Sequence, residues 1–331
     1  MKKKSFHKNI LYLSFVLLLI LASGFQCTPK NSSSSSSGKS YTVSGTDGLT
    51  LAFVAQNPQD RFSIGDLEEP ISIIFELRNK GSWPQTDGEN ILSQGKIYVS
   101  GFDDNIIVMN EKSKILNRDV LRGASQFSPE GGFDMPEFKG AIRAGNLVID
   151  KYEPIILGTA CFPYATKASP SICVDPHPFD TTRKKVCQVG AISLTSQGAP
   201  IAVTKVEQES SSSKTQFKIT IKNVGGGDIL RLSKLDACDP YGGTELKRSD
   251  FDKVELSRVS VGTTDLRCGP FIEANEIRLF NNEGFIICTM EASEYQGANS
   301  AYQTPLNIEL RYGYRKTVSK PIKISKISGI I

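Results

Sequence analysis

Residues 71–82 read ISIIFELRNKGS and residues 217–226 read FKITIKNVGG. In the first, Ile71, Ile73, Phe75 and Leu77 alternate with Ser72, Ile74 and Glu76. In the second, Phe217, Ile219 and Ile221 alternate with Lys218, Thr220 and Lys222. A period of two sends one set of side chains to a core and the other to water, the pattern of a strand in an antiparallel sheet. Both runs stop at the same signal, apolar-x-apolar-[Arg/Lys]-Asn-x-Gly-small, with Asn79 and Asn223 lying 144 residues apart. Asn tolerates left-handed geometry and bonds its own backbone, and Gly supplies positive φ, so each motif predicts a strand end.

A second match has nearly the same offset. Tyr164-x4-Ser169-x2-Ile172-x-Val174 parallels Tyr314-x4-Ser319-x2-Ile322-x-Ile324 at 150 residues. Two matches in one order, at a period of domain length, predict one domain type occurring twice. Leu49, Leu51 and Phe53 alternate in the same way, as do Leu306, Ile308, Leu310, Tyr312 and Tyr314, and Ser210–Ser213 reads as a polar loop between two strands. The predicted fold is therefore all-β, with two tandem immunoglobulin-like β-sandwich domains over residues 46–180 and 198–331, joined by a linker over 181–197. The single helical candidate is 110–122, NEKSKILNRDVLR, where Leu116 and Val120 stand at i,i+4 and Gly123 offers a stop.

Upstream of the sandwiches, Lys2, Lys3, Lys4 and Lys8 precede an apolar run over residues 10–25, and no charge appears between Lys8 and Lys30. Residues 1–27 thus read as a signal peptide or membrane anchor with three open fates. Ala22-Ser23-Gly24 would suit ordinary cleavage, Cys27 would suit lipidation, and the 21 uncharged residues from Asn9 to Pro29 reach the ~20 needed to span. All three fates export residues 28–331, by the positive charge on the N-terminal side of the apolar run. Residues 28–45 form a linker whose run Ser32–Ser37 is a flexible tether, and Asn31 heads the one N-x-[ST] glycosylation sequon.

The strand ends RNKG and KNVGG, the later apolar strand at Gly284-Phe-Ile-Ile and the closing hairpin resemble CARDB-type and related immunoglobulin-like modules of archaeal and bacterial surface proteins. The run from Ile156 to Pro176 resembles a hairpin of uncharacterised archaeal exported proteins. The resemblance implies an extracellular β-sandwich used for adhesion, spacing or assembly, with no catalytic residues to carry over.

With Cys27 set aside, Cys161, Cys173, Cys187, Cys238, Cys268 and Cys288 remain, an even count that predicts three disulfides in an exported chain. A turn centred on Lys167 would set Cys161 opposite Cys173 across a hairpin, and the other four allow three pairings, of which Cys238–Cys268 with Cys187–Cys288 is the one expected here. No C-x-x-C occurs and the spacings match no zinc pattern.

The chain carries 39 Lys+Arg against 35 Asp+Glu, and without the four leader lysines the two signs balance at 35. No basic patch is left to capture nucleic acid. The two histidines are His7, in the leader, and His177, in the Pro-stiffened stretch Asp175-Pro-His-Pro-Phe-Asp180. Asp103-Asp104-Asn105 lacks the spacing of a calcium loop and reads as a turn. Gly225-Gly-Gly-Asp228 lacks the Lys-Ser/Thr of a phosphate cradle, and Trp83 reads as turn or core packing. No catalytic residue, metal site or cofactor is predicted.

Together these features predict a non-catalytic protein on the outer face of the cell membrane, held through its N-terminus, whose partners are other surface proteins or cell envelope components. The alternative is a ligand- or glycan-binding accessory module of a transporter or enzyme.

Overall fold

The computed structural model describes residues 43–65, 67–86, 95–117, 119–143, 150–271 and 273–327. The leader, Cys27, Asn31 and the serine run lie outside them. In the first half the strands are β1 (Leu49–Phe53), β2 (Arg61–Ile64), β3 (Glu69–Asn79), β4 (Lys96–Ser100), β5 (Ile107–Met109), β6 (Ser113–Ile115), β7 (Phe133–Asp134), β8 (Glu137–Ile142), β9 (Lys151–Tyr152), β10 (Ile155–Ala168) and β11 (Ser171–Val174). In the second they are β12 (Ile192–Ser193), β13 (Ile201–Ser210), β14 (Lys214–Asn223), β15 (Asp228–Leu230), β16 (Lys253–Val261), β17 (Thr264–Asp265), β18 (Arg267–Gly269), β19 (Glu276–Arg278), β20 (Glu283–Glu291), β21 (Tyr302–Pro321) and β22 (Lys323–Lys326).

Among the described residues these strands make an all-β sandwich architecture of four sheets. One sheet of the first half runs β1-β3-β8-β5, and its counterpart in the second runs β13-β14-β20-β18 with β12 on the outer edge. The alternation read from the sequence sets their faces: Ile71, Ile73, Phe75 and Leu77 are buried on β3, and Phe217, Ile219 and Ile221 on β14. Both pack on a third sheet, β17-β16-β21-β10-β4-β6, which runs through both halves.

That shared sheet is built on a ribbon of two long antiparallel strands. Ile155 faces Pro321, Ala168 faces Ile308, and β11 continues from Ser171 opposite Pro305 to Val174 opposite Tyr302, with no shift in register. The gap between β10 and β11 is bridged by a Ser169 hydroxyl to Asn307 contact and by the Leu306 N–H bonded to Pro170 O. The ladder is interrupted there because Pro170 has no N–H to give. At the centre Phe162 lies opposite Tyr314 and Tyr164 opposite Tyr312, their rings 5.8 and 6.3 Å apart, an aromatic spine shared by both halves. The two sandwiches are thus fused edge to edge, and the described residues belong to one compact unit.

This ribbon overturns the expected hairpin around Lys167. Cys161 and Cys173 stand on one continuous line twelve positions apart, about 40 Å at ~3.3 Å per residue, far beyond the ~7 Å Cα limit of a disulfide. All six cysteines are paired, but as Cys161–Cys238, Cys173–Cys187 and Cys268–Cys288, with Cα separations of 6.5, 5.7 and 4.0 Å. The expected Cys238–Cys268 and Cys187–Cys288 pairs fall with the first. Cys268 and Cys288 are direct cross-strand partners on β18 and β20.

The helix expected over 110–122 is also absent. Ser113–Ile115 is an edge strand on β4, Ile115 and Val120 are exposed, and Leu116 and Leu121 are buried. The apolar spacing serves a strand and a loop that dips into the core, not a helical stripe.

Candidate functional site

Asn79 is fully buried and ties off its strand end with four hydrogen bonds. Its Nδ2 donates to Trp83 O (2.8 Å) and Leu121 O (3.0 Å), and its Oδ1 accepts from the Gly81 N–H (3.3 Å) and the Tyr164 hydroxyl (3.1 Å). The Trp83 N–H in turn donates to Tyr164 Oη at 3.3 Å. In the second half, Asn223 Nδ2 donates to Gly227 O (2.8 Å), its Oδ1 accepts from the Gly225 N–H (3.3 Å), and the Gly227 N–H donates to Tyr314 Oη (2.5 Å). The Asn79 and Asn223 turns therefore occupy equivalent places, each closed by the tyrosine of the second sequence match.

The glycines serve a purpose other than the one expected. Positive φ falls on Gly226, not on Gly81 or Gly225. A Cβ at Gly81 would strike the Tyr164 hydroxyl and Gly198 O, and one at Gly225 would come within 2.5 Å of Pro200 Cβ and 2.7 Å of Tyr314 Oη. Close approach of the tyrosine demands Gly here. Burial pushes the Tyr314 hydroxyl up to about 12, and Tyr164 and Tyr312 are raised by the same cause. These are fold elements. Trp83 packs edge-on against Tyr164 at 5.5 Å, as turn and core packing.

What differs between the halves is more informative. After β15 the chain leaves the shared sheet as a lid over residues 231–251. A 3-10 helix, Leu232–Cys238, lays Leu235 and Cys238 on the outer face of the sheet, against Leu230 and against Tyr98 of β4 and Cys161 of β10. Gly313 of β21 lets the lid sit close, since a Cβ there would come within 2.9 Å of Leu235. Farther along, the Tyr241 hydroxyl donates to Val99 O (3.0 Å), and Lys112 Nζ stands 4.2 Å from the centre of the Tyr241 ring. Desolvation, with Asp239 and Asp236 nearby, pushes Tyr98 up to about 12, and desolvation with Asp104 and Asp239 does the same to Tyr241. The lid base is closed by the Arg231 N–H to Asp250 O (2.7 Å) and by ion pairs from Arg231 and buried Lys253 to Glu276 (2.8 and 3.0 Å). The lid is a second-half segment seated on strands of both halves, and Cys161–Cys238 bolts it to β10.

A second local device comes after β11. Cys173–Cys187 closes a short loop, inside which Lys185 pairs with buried Asp175 (2.6 Å) and donates to His177 O (2.7 Å). His177 is exposed on this loop, with its backbone N–H on Asp175 Oδ1 (2.9 Å). Phe179 and Val186 project from it, 73% and 76% exposed. The stretch expected as linker is thus strapped at Cys187, pairs through β12 with β13, and ends where the Gln197 amide brackets Val203, taking its N–H (2.9 Å) and giving to its O (3.0 Å).

The remaining candidates resolve into turns. Asp103 accepts from the Asn105 N–H (2.8 Å) while Asp104 pairs with Lys112. Gly225–Asp228 is the second Asn-Gly turn, with Asp228 paired to Arg315 (2.9 Å). Among the described residues no three His, Cys, Asp or Glu side chains cluster to share a metal, and no helix is long and apolar enough to cross a membrane. An open groove of about 490 Å³ lies beside β2, with Gln56, Gln59, Phe62, Ser72 and Lys139 on its walls.

No protein-family model and no curated protein matches the chain. Among solved structures, the C-terminal domain of the Streptococcus agalactiae AgI/II polypeptide BspA aligns over 84% of this chain and 98% of its own, at 7% identity and a TM-score of 0.18. That score is too low for a common fold and carries no weight for function.

Proposed function

We propose that the protein is an exported, non-catalytic display protein, anchored at the outer face of the cell membrane and acting by adhesion, spacing or assembly among cell envelope components. The observation that carries this reading is the set of three disulfides, two strapping local segments and one bolting the halves together, which suits an oxidising compartment and a part built to last outside the cell. The lysine-flanked leader and serine tether supply export and reach. The fused sandwiches supply a stiff body, with a ribbon whose longer strand, β21, runs twenty residues, about 65 Å at ~3.3 Å per residue. The CARDB-type resemblance fits the same setting. The test is surface proteolysis: protease on intact cells should remove the sandwiches while a cytosolic marker survives, and equal protection of both would refute the reading.

The groove beside β2 supports the accessory-module alternative, since amides and a lysine on its walls could bond a polar ligand. Phe62 is buried there, however, and offers no open stacking face for a sugar ring. A glycan panel binding the purified protein saturably would reverse the preference.

A further inference from the structure

Past the loop strapped by Cys173–Cys187, the chain from Lys184 to Gly190 alternates as a strand does. Lys184, Val186, Gln188 and Gly190 are exposed, while Lys185, Cys187 and Val189 are partly buried. The segment has no ladder. It belongs to no sheet, and none of its backbone groups bonds the backbone of another described residue. An extended stretch with open main-chain groups is what a partner's cleft can pair with, main-chain bonds giving affinity and outward side chains giving specificity.

The side chains around it are sorted in the same way. Arg183 is tied to Asp180 (3.0 Å) and to Asn299 O (3.4 Å). Lys185 is turned back to Asp175 (2.6 Å), His177 O (2.7 Å) and Pro178 O (3.3 Å). Between them Lys184 is exposed and makes no ion pair among the described residues. The clamps also straddle one peptide bond. The Cys173–Cys187 disulfide joins residues on either side of Lys184–Lys185, and all three groups that hold Lys185 Nζ precede that bond in the chain. If the bond were cut, the new amine of Lys185 would stay where it was.

We propose that this is a substrate-like inhibitor loop with Lys184 as its primary specificity residue, and that its partner is a serine endopeptidase of trypsin-like specificity. Such an enzyme holds its substrate extended and reads one Lys or Arg in an acidic pocket, the complement of the cation that this stretch leaves unpaired. The protease serine oxygen attacks the Lys184 carbonyl carbon. The Lys184–Lys185 bond breaks as the ester to serine forms, and the serine's proton passes through the protease histidine to the Lys185 nitrogen. An ordinary amine product leaves, and water takes the ester. Here the clamped Lys185 amine remains in place and attacks the ester in reverse, which restores the peptide bond and frees the serine. A loop already fixed in its docked form also spares the ordering cost of binding. The proposal takes from the display reading only its oxidising setting.

The test uses the full oxidised chain and trypsin, assayed on a small chromogenic lysine substrate. Inhibition should be saturable and reversible at micromolar chain or below, with the chain recovered intact. Lys184→Ala should weaken it about 100-fold, the loss of a hot-spot residue. Lys184→Leu should move inhibition from trypsin to chymotrypsin, which a merely structural role for Lys184 would not do. Because Lys184 is exposed, both variants should keep the parent's unfolding midpoint. Replacing Cys173 and Cys187 together by serine should turn the inhibitor into a substrate cut after Lys184. Absence of inhibition at micromolar chain, prompt cleavage of the oxidised loop, or undiminished inhibition by Lys184→Ala would each overturn the proposal. None of these results touches the display reading, which falls instead on protease protection in intact cells.

Discussion

Asn79→Ala and Asn223→Ala remove the same side chain from equivalent turns and should differ severalfold in cost. Asn79 leaves behind the Gly81 N–H, the Tyr164 hydroxyl and the carbonyls of Trp83 and Leu121, all in a fully buried pocket. At about 1 kcal/mol for each orphaned group, the Tyr164 hydroxyl still accepting from the Trp83 N–H but left without an acceptor for its own proton, the loss comes to roughly 3–5 kcal/mol. Asn223 is half-buried and makes two of these bonds. After its removal the Gly225 N–H keeps Pro200 O at 3.1 Å, and Gly227 O can turn to water, so the loss is roughly 1 kcal/mol. Urea unfolding of the oxidised chain, comparing midpoints at constant slope, reads both numbers. Asn79→Asp should be no better than Ala, since it sets a carboxylate against two carbonyls without solvent. Equal losses for the two alanine variants would refute the burial argument, and a small loss at both would refute the role of the asparagines in closing the turns.

Replacing Cys161 and Cys238 together by serine removes a link that closes 77 residues, worth about 4 kcal/mol on the loop-entropy account, and should expose residues 239–247 to limited proteolysis; an unchanged midpoint and an uncut lid would refute this. Calorimetry should show one unfolding transition for the described body, because β10 and β21 are each a central strand of the other's sheet; two well-separated transitions would show that the halves unfold independently. Tyr98 and Tyr241 bind their protons more tightly folded than unfolded, so their contribution is complete below about pH 10 and is lost as pH rises toward about 12. The lid should therefore loosen over that alkaline window, with tyrosinate absorbance appearing later than in the unfolded chain. Titration at the ordinary tyrosine value with the lid still closed would contradict that placement.

The strands were legible because a half-buried strand writes its face into the sequence. The period-two runs at β1, β3, β14 and β21 bury the residues that the alternation picks out, apart from the partly buried Phe53 at the end of β1. The repeat was legible because the Asn-Gly turn and its tyrosine form one device, with three residue types whose contacts leave little freedom. The disulfides were not, because their pairing depends on which strands become neighbours. Two strands in one register, β10 and β11, look locally like a hairpin when Thr-Lys-Ala-Ser-Pro interrupts the apolar pattern, and nothing in Ser169-Pro170 says that the partner strand lies 130 or more residues downstream. The lid was missed for a similar reason. Leu232, Leu235 and Cys238 carry too little periodicity to stand out, and part of the surface they cover belongs to the other half.

Where the halves match, the reason is structural: both must end a strand, bring a tyrosine under the turn and bury one face of a sheet. Where they meet, each half reaches into the other. The lid reaches from the second half onto β4 and β10, β22 continues β21 onto β9 and lies beside β2, and β11 continues β10 onto the start of β21. A duplicated sandwich needs none of these to fold as a sandwich. Each one instead makes one half complete a surface of the other. The shared ribbon uses up the edges at which two separate sandwiches would be most open to stray pairing.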